Sequence, residues 1–220
     1  MEIQNIRATV VSKKIVNNVA ILLNLSAHVP IEYKAGQYFS FIFSDKLRRS
    51  YSVTSTDCSS TISFAIKIDD GEGSQAISEL KLGYNIDLLG PLGKFTYIDD
   101  GSNTLVFIAT GIGIAPIKGI IDNLLKNSFS GKIYLFWGVR NEKNFIYDFS
   151  LYPIKFIPVV SAPEGNFENV GHVQDFIKKL DFPENTSFYI CGSPMIVNDI
   201  RSFIKSTFVA DYSKIYVEKF

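Results

Sequence analysis

The feature that most limits the fold of this chain is a change of pattern near its middle. Up to about residue 98 the apolar residues fall in short β-rich runs, and beyond residue 103 strand-like runs alternate with helical ones. The first pattern suits paired strands with a period of two, and the second suits strands covered by helices with a period of 3.6, so the chain reads as two halves. Between them lies Asp99-Asp100-Gly101-Ser102-Asn103, a polar stretch that reads as a linker. The sequence therefore predicts two domains, 1–99 and 104–220.

In the first, Ile3–Val11, Val19–Leu25, Gln37–Phe43, Ser50–Thr54, Thr61–Ile68 and Asn85–Leu89 read as strands, with one helical patch at Ser74–Leu80. Six short strands punctuated by Gly/Pro turns, Gly90-Pro91-Leu92-Gly93 among them, predict a small antiparallel barrel. In the second, strands at Thr104–Ala109, Lys132–Trp137, Ile154–Val160, Ser187–Cys191 and Lys214–Glu218 alternate with helices at Ala115–Lys126, near Phe145–Phe149, at His172–Leu180 and at Pro194–Thr207. Such alternation predicts a doubly wound parallel sheet, whose ligands bind at the carboxyl ends of its strands.

Composition narrows the function. A hydrophobic share of 46% excludes a disordered chain. Twenty-two basic residues balance twenty-two acidic ones, without the basic excess of a nucleic-acid binder. Cys58, Cys191, His28 and His172 lie far apart, too few and too scattered for an iron–sulfur cluster or a structural zinc. No apolar run approaches the length of a membrane span and the N-terminus lacks a secretory signal, so a cytoplasmic protein is expected.

Several motifs carry chemistry. Thr110-Gly111-Ile112-Gly113-Ile114-Ala115-Pro116 follows an apolar strand and opens a helix. Its glycines let backbone approach a phosphate, and the helix end offers free N–H groups. A tight turn without a ligand would use the same residues, and Pro116 stands where the dinucleotide fingerprint has its third glycine. Arg49-Ser50-Tyr51-Ser52 lies on a strand, with Arg49 and Tyr51 on one face and Ser50 and Ser52 on the other. Arg beside Tyr makes either a phosphate clamp with an aromatic plate or an ordinary cross-strand pair. Gly71-Glu72-Gly73-Ser74 opens the short helix, with Ser74 either its N-cap or an anion ligand. Cys191-Gly192-Ser193-Pro194-Met195 ends a strand at the ligand-binding edge of the second sheet, though a lone Cys there is equally a small buried hydrophobe.

Taken in order, these residues resemble the ferredoxin–NADP reductase superfamily over essentially the whole chain. Arg49–Ser52 is similar to the family's flavin-binding Arg-x-Tyr-Ser, Gly71–Ser74 to its Gly-x-x-Ser, and Gly90–Phe95 to the turn closing its barrel. Thr110–Pro116 resembles its nicotinamide-dinucleotide loop, Gly138-Val139-Arg140 its Gly-x-Arg, Cys191–Met195 its Cys-Gly-x-Pro, and Glu218-Lys219-Phe220 its Glu-x-aromatic ending. The resemblance implies that Arg49, Gly73 and Ser74 hold the FAD diphosphate, that Tyr51 packs on the flavin and that Ser52 reaches N5. It implies an NAD(P)H site at Thr110, Gly111, Gly113, Pro116, Arg140, Cys191 and Gly192. Cys191 would lie by the nicotinamide, Glu218 by the flavin edge, and Phe220 over the flavin face. Ser52, Cys191 and Glu218 would be the catalytic group. Ser161-Ala162-Pro163-Glu164 lacks the arginine that relatives use for a 2′-phosphate, and Glu164 would repel one, which favours NADH over NADPH. The implied activity is hydride transfer from NAD(P)H to FAD, with electrons passed to a separate ferredoxin, flavodoxin or oxygenase component. Two other readings stay open, a flavin reductase releasing reduced free flavin and a non-turnover cofactor-binding or electron-transfer subunit.

Overall fold

The computed structural model describes residues 2–208 and 211–220, which fall into two compact units. One contains residues up to Tyr97 together with Lys118–Ser128; the other contains Ile98–Ile117 and Phe129–Phe220.

The first unit is a six-stranded antiparallel sheet of β1 (Gln4–Val16), β2 (Ala20–Ala27), β3 (Tyr38–Ile42), β4 (Arg48–Ser52), β5 (Thr61–Lys67) and β6 (Asn85–Leu92), in the order β4-β3-β6-β1-β2-β5. The two edges meet just past β4, where Val53 bridges Phe64 and the Thr54 N–H donates to Ser63 O at 2.8 Å, so the sheet curls towards a barrel. Alternate residues of each strand fill it: Ile6, Ala8 and Val10 of β1, Leu23 and Leu25 of β2, Phe39 and Phe41 of β3. Phe41 and Phe64 meet edge to face at 4.9 Å. The only regular helix between β5 and β6 is α1 (Glu72–Glu79), whose Ile77 plugs this core.

β1 runs five residues beyond its expected end at Val11 because the β1–β2 register shifts between Val10 and Ser12. Such a bulge breaks the alternation that marks a strand in sequence. β6 likewise continues through Gly90-Pro91-Leu92, with Leu92 opposite Tyr38, where the sequence suggested a turn.

The second unit is a five-stranded parallel sheet of β7 (Thr104–Thr110), β8 (Lys132–Val139), β9 (Lys155–Val160), β10 (Thr186–Gly192) and β11 (Ile215–Lys219), in the order β11-β10-β7-β8-β9. One face packs Val106, Ile108, Phe136, Phe188 and Ile190 against α3 (Val173–Ile177) and α4 (Pro194–Thr207). The opposite face carries Leu105, Phe107, Leu135, Trp137 and Tyr189, each fully buried. That is why the strands read as continuous apolar runs. The helix after β7 is α2 (Ile114–Lys126), entered through a short 3-10 turn at Gly111–Gly113. No helix forms near Phe145–Phe149. A 3-10 turn at Glu142–Asn144 leads instead into an irregular segment held by aromatic packing, Trp137 against Phe145 at 5.0 Å and against Phe149 at 6.0 Å. α3 is shorter than the expected His172–Leu180.

The polar stretch at 99–103 is anchored rather than loose. Asp100 Oδ2 accepts from Ser187 Oγ at 2.5 Å and Tyr216 OH at 2.9 Å, and Lys214 Nζ donates to Asp100 O, Ser102 Oγ and Asn185 Oδ1. Burial opposes ionisation of Asp100, but these donors outweigh it and hold the carboxyl below its ordinary value. Burial, and then the same bond to Asp100, push Tyr216 up to about 12.

Candidate functional site

The site residues form two groups, one in each unit. In the first unit, Phe39 pairs with Tyr51 and Phe41 with Arg49 across β3 and β4, so Arg49 and Tyr51 share the face that carries the core phenylalanines. Tyr51 packs edge to face on Phe41 at 5.0 Å, and burial lifts its hydroxyl to about 12. The neutral phenol therefore persists at all ordinary pH values. Arg49 keeps 47% of its side chain exposed.

The first turn of α1 is seated on these two side chains. A Cβ at Gly73 would lie 2.5 Å from Arg49 Cγ and 2.7 Å from Tyr51 OH, so only glycine allows the approach. The helix N-cap is Gly71, with no side-chain cap, so Ser74 is not the cap. Ser74 instead accepts the Asp69 N–H at 3.1 Å and is buried. The N–H groups of Glu72, Gly73 and Ser74 have no partner within the helix, because only from Gln75 onward does an i−4 carbonyl exist. A guanidinium, an aromatic hydroxyl and the open end of a helix thus converge, a donor set suited to a phosphorylated ligand. Ser52 lies on the opposite face of β4, opposite Tyr38.

In the second unit the residues gather where β7 and β10 end side by side. With β7 central and its neighbours wound to opposite sides, this is the switch point of the sheet. A Cβ at Gly113 would lie 2.6 Å from the Cys191 carbonyl carbon, and one at Gly192 would overlap Thr110 Oγ1. Gly111 adopts φ +54, and its carbonyl accepts from Trp137 Nε1 at 2.9 Å. Pro116 is buried in the first turn of α2. Trp137 was not singled out in sequence, although a tryptophan two residues before the strand end was the available signal.

Cys191 is fully buried and pairs in register with Glu218, its Sγ 3.8 Å from Glu218 Oε2. Burial and then the Glu218 charge push the thiol well above its ordinary pKa, so it stays protonated. It is no thiolate nucleophile, but it can donate weakly. Phe220 is 53% exposed, with its N–H on Gly192 O at 3.3 Å. Arg140 follows β8, exposed, its carbonyl accepting from Ala162 N at 2.7 Å. Glu164 is ion-paired with Lys143, and Glu142 accepts the N–H groups of Glu164 at 3.1 Å and Gly165 at 3.3 Å. Glu142, Glu164 and Lys143 therefore stand beyond β8 and β9 along with Arg140, and hydrogen bonds hold Glu142 below the usual carboxylate range. Among the described residues there is no cluster of three metal-ligating side chains and no helix long and apolar enough to cross a membrane.

Comparison with known proteins agrees with this layout. The family model of the oxidoreductase FAD-binding domain matches residues 7–97, and that of the oxidoreductase NAD-binding domain matches 107–202. The chain is 30% identical over 198 residues to the CDP-6-deoxy-L-threo-D-glycero-4-hexulose-3-dehydrase reductase of Yersinia pestis, covering 84% of this chain and 59% of that protein. It is 27% identical over 180 residues to the NAD(P)H-flavin reductase of Aliivibrio fischeri, covering 74% of this chain and 76% of that one. The chain thus spans little more than half the length of some curated relatives. Among solved structures, ferredoxin–NADP+ reductase from Plasmodium falciparum superposes with a TM-score of 0.83 at 27% identity, covering 99% of this chain and 97% of that one. The two matched domains, their order along the chain and this superposition together place the chain in the ferredoxin–NADP reductase superfamily.

Proposed function

We propose that the chain is a flavin-dependent reductase that takes hydride from NADH, in preference to NADPH, and passes the electrons to a separate acceptor protein such as a ferredoxin, flavodoxin or oxygenase component. The observation that carries this reading is the convergence of Arg49, Tyr51 and the first turn of α1 at Gly73. FAD, when bound, supplies the hydride-accepting ring and the one- or two-electron release that follows. Arg49, with the Gly73 and Ser74 N–H groups, would hold its diphosphate. Tyr51 would pack against the flavin, and Ser52, the last residue of β4, would offer its hydroxyl to N5 from the end of the strand. In the second unit, the loop from Thr110 through Gly111 and Gly113 to Pro116 would carry the dinucleotide phosphates, with Arg140 and Gly192 beside them. Cys191 and Glu218 would frame the nicotinamide as a neutral thiol and a carboxylate, and Phe220 would act as a displaceable cover.

The preference for NADH rests on Glu142 and Glu164, two carboxylates that would repel a 2′-phosphate, with Lys143 already paired to Glu164. A second reading, release of reduced free flavin, is favoured by the ion pair that occupies Arg49. A turnover screen decides between them. NADH and NADPH are each offered with ferredoxin, flavodoxin or free FMN as acceptor. The first reading expects turnover with a protein acceptor at catalytic flavin, and the second expects turnover only as free flavin is added. Turnover with NADPH equal to that with NADH would remove the assigned preference.

A further inference from the structure

Arg49 is already engaged. Its guanidinium lies 3.2 Å from Glu72 Oε2 and donates from its other terminal nitrogen to Arg48 O at 2.8 Å. Glu72 is the first residue of α1, next to Gly73. Its carboxylate therefore belongs to the same helix end whose free N–H groups would receive a phosphate. Both side chains are well exposed, 47% for Arg49 and 76% for Glu72, so the pair is held by charge rather than by packing.

We propose that Glu72 is an internal competitor for the diphosphate of FAD, occupying Arg49 when the flavin is absent and repelling the phosphates when it is present, so that the chain holds its flavin loosely. The inference rests on the assignment of Arg49, Gly73 and Ser74 to the diphosphate. Binding of the diphosphate is an exchange of partners at Arg49. An exposed ion pair is nearly neutral in stability, so releasing Arg49 from Glu72 is easy. The cost of keeping a carboxylate beside a doubly charged diphosphate is larger, because like charges at such range disfavour each other and the guanidinium is shared between them. Glutamine keeps the size and the hydrogen-bonding capacity of the residue and removes only its charge. Riboflavin has the same ring as FAD and no phosphate, so it must be blind to Glu72.

The test is flavin titration of the flavin-free full chain, followed by quenching of flavin fluorescence, with FAD and riboflavin as probes at low and high sodium chloride. Glu72→Gln is expected to tighten FAD about 10-fold at low salt, with a smaller gain at high salt and no change for riboflavin. Glu72→Ala should act in the same direction. In an Arg49→Gln background most of the gain should remain, since the repulsion between the Glu72 carboxylate and the diphosphate does not pass through the guanidinium. Unchanged or weakened FAD binding in both Glu72 variants, while Arg49→Gln weakens it, would overturn the competitor and leave the diphosphate assignment standing. FAD binding indifferent to Arg49→Gln would overturn the assignment itself. An equal gain for riboflavin would also refute the proposal, by showing an effect that does not pass through phosphate.

Discussion

Replacing Gly113 by alanine should be among the most damaging single-methyl additions in the second unit. The new Cβ would stand 2.6 Å from the Cys191 carbonyl carbon and 3.0 Å from Gly192 N. Carbon atoms in comfortable contact are about 3.5–4.0 Å apart, so the backbone must part by roughly 1 Å. Neither wall yields easily, because Cys191 is hydrogen-bonded in register between Ala109 on one side and Glu218 on the other. Overpacking of this kind costs about 1–3 kcal/mol, and a backbone obstacle on a central strand puts it near about 3 kcal/mol. At about 2–4 °C per kcal/mol for a chain of this size, the melting temperature should fall by roughly 6–12 °C. Two neighbouring glycines give the controls. At Gly111 the added methyl meets nothing and the cost is only the left-handed backbone, about 1–2 kcal/mol. At Gly192 the obstacle is the Thr110 hydroxyl, which can rotate away, so the loss should be intermediate. Scanning fluorimetry of the three variants with and without NADH reads both stability and the retained dinucleotide response. A Gly113→Ala melt within about 2 °C of the parent, or a Gly111→Ala variant as damaged as Gly113→Ala, would refute the packing argument.

Other outcomes follow from the same geometry. Of the two free cysteines, exposed Cys58 should react with a thiol reagent at once, while buried Cys191 should react only on unfolding; a fast second thiol would contradict its protonated, enclosed state. Asp100→Asn should cost about 2 kcal/mol by leaving Ser187 and Tyr216 poorly matched and removing the charge 3.8 Å from Lys214 Nζ, measured by urea unfolding. Because the folded Asp100 value lies below the unfolded one, its contribution is present above the unfolded carboxylate pKa and disappears as pH falls through the folded value; Asp100→Asn should flatten that acid limb. Tyr216 works in the other direction, its stabilisation complete below its ordinary 10.0 and lost as pH rises through about 12, so Tyr216→Phe should flatten the alkaline limb. Ser52→Ala should slow flavin reduction in single-turnover measurements while leaving FAD bound, and an unchanged rate would remove Ser52 from its assigned role.

Much of the architecture was legible because it depends on local pattern. The parallel strands are apolar on both faces and the barrel strands alternate, so each announces its environment. What stayed hidden depends on partners far along the chain. The run at 99–103 looks like a linker because Asp, Gly, Ser and Asn favour turns, yet its Asp100 is fixed by Ser187 and Tyr216, 87 and 116 positions away. The segment near Phe145–Phe149 has helix-like apolar spacing, but its rings are drawn to Trp137 and give no helix. At the site, Arg49, Gly73, Gly113 and Cys191 were readable as motifs. The close approach of Gly73 to Arg49 and Tyr51, and the pairing of Glu72 with Arg49, were not, because α1 and β4 are joined only in space.

Binding of FAD by this chain and its reduction by a nicotinamide dinucleotide are the central expectation. The most direct measurement is an anaerobic titration of the FAD-loaded chain with NADH, followed by the visible flavin band. Stoichiometric bleaching by NADH, with a weaker response to NADPH, is the result expected. A chain that takes up no FAD, or whose FAD keeps its colour with both NADH and NADPH, would contradict the account.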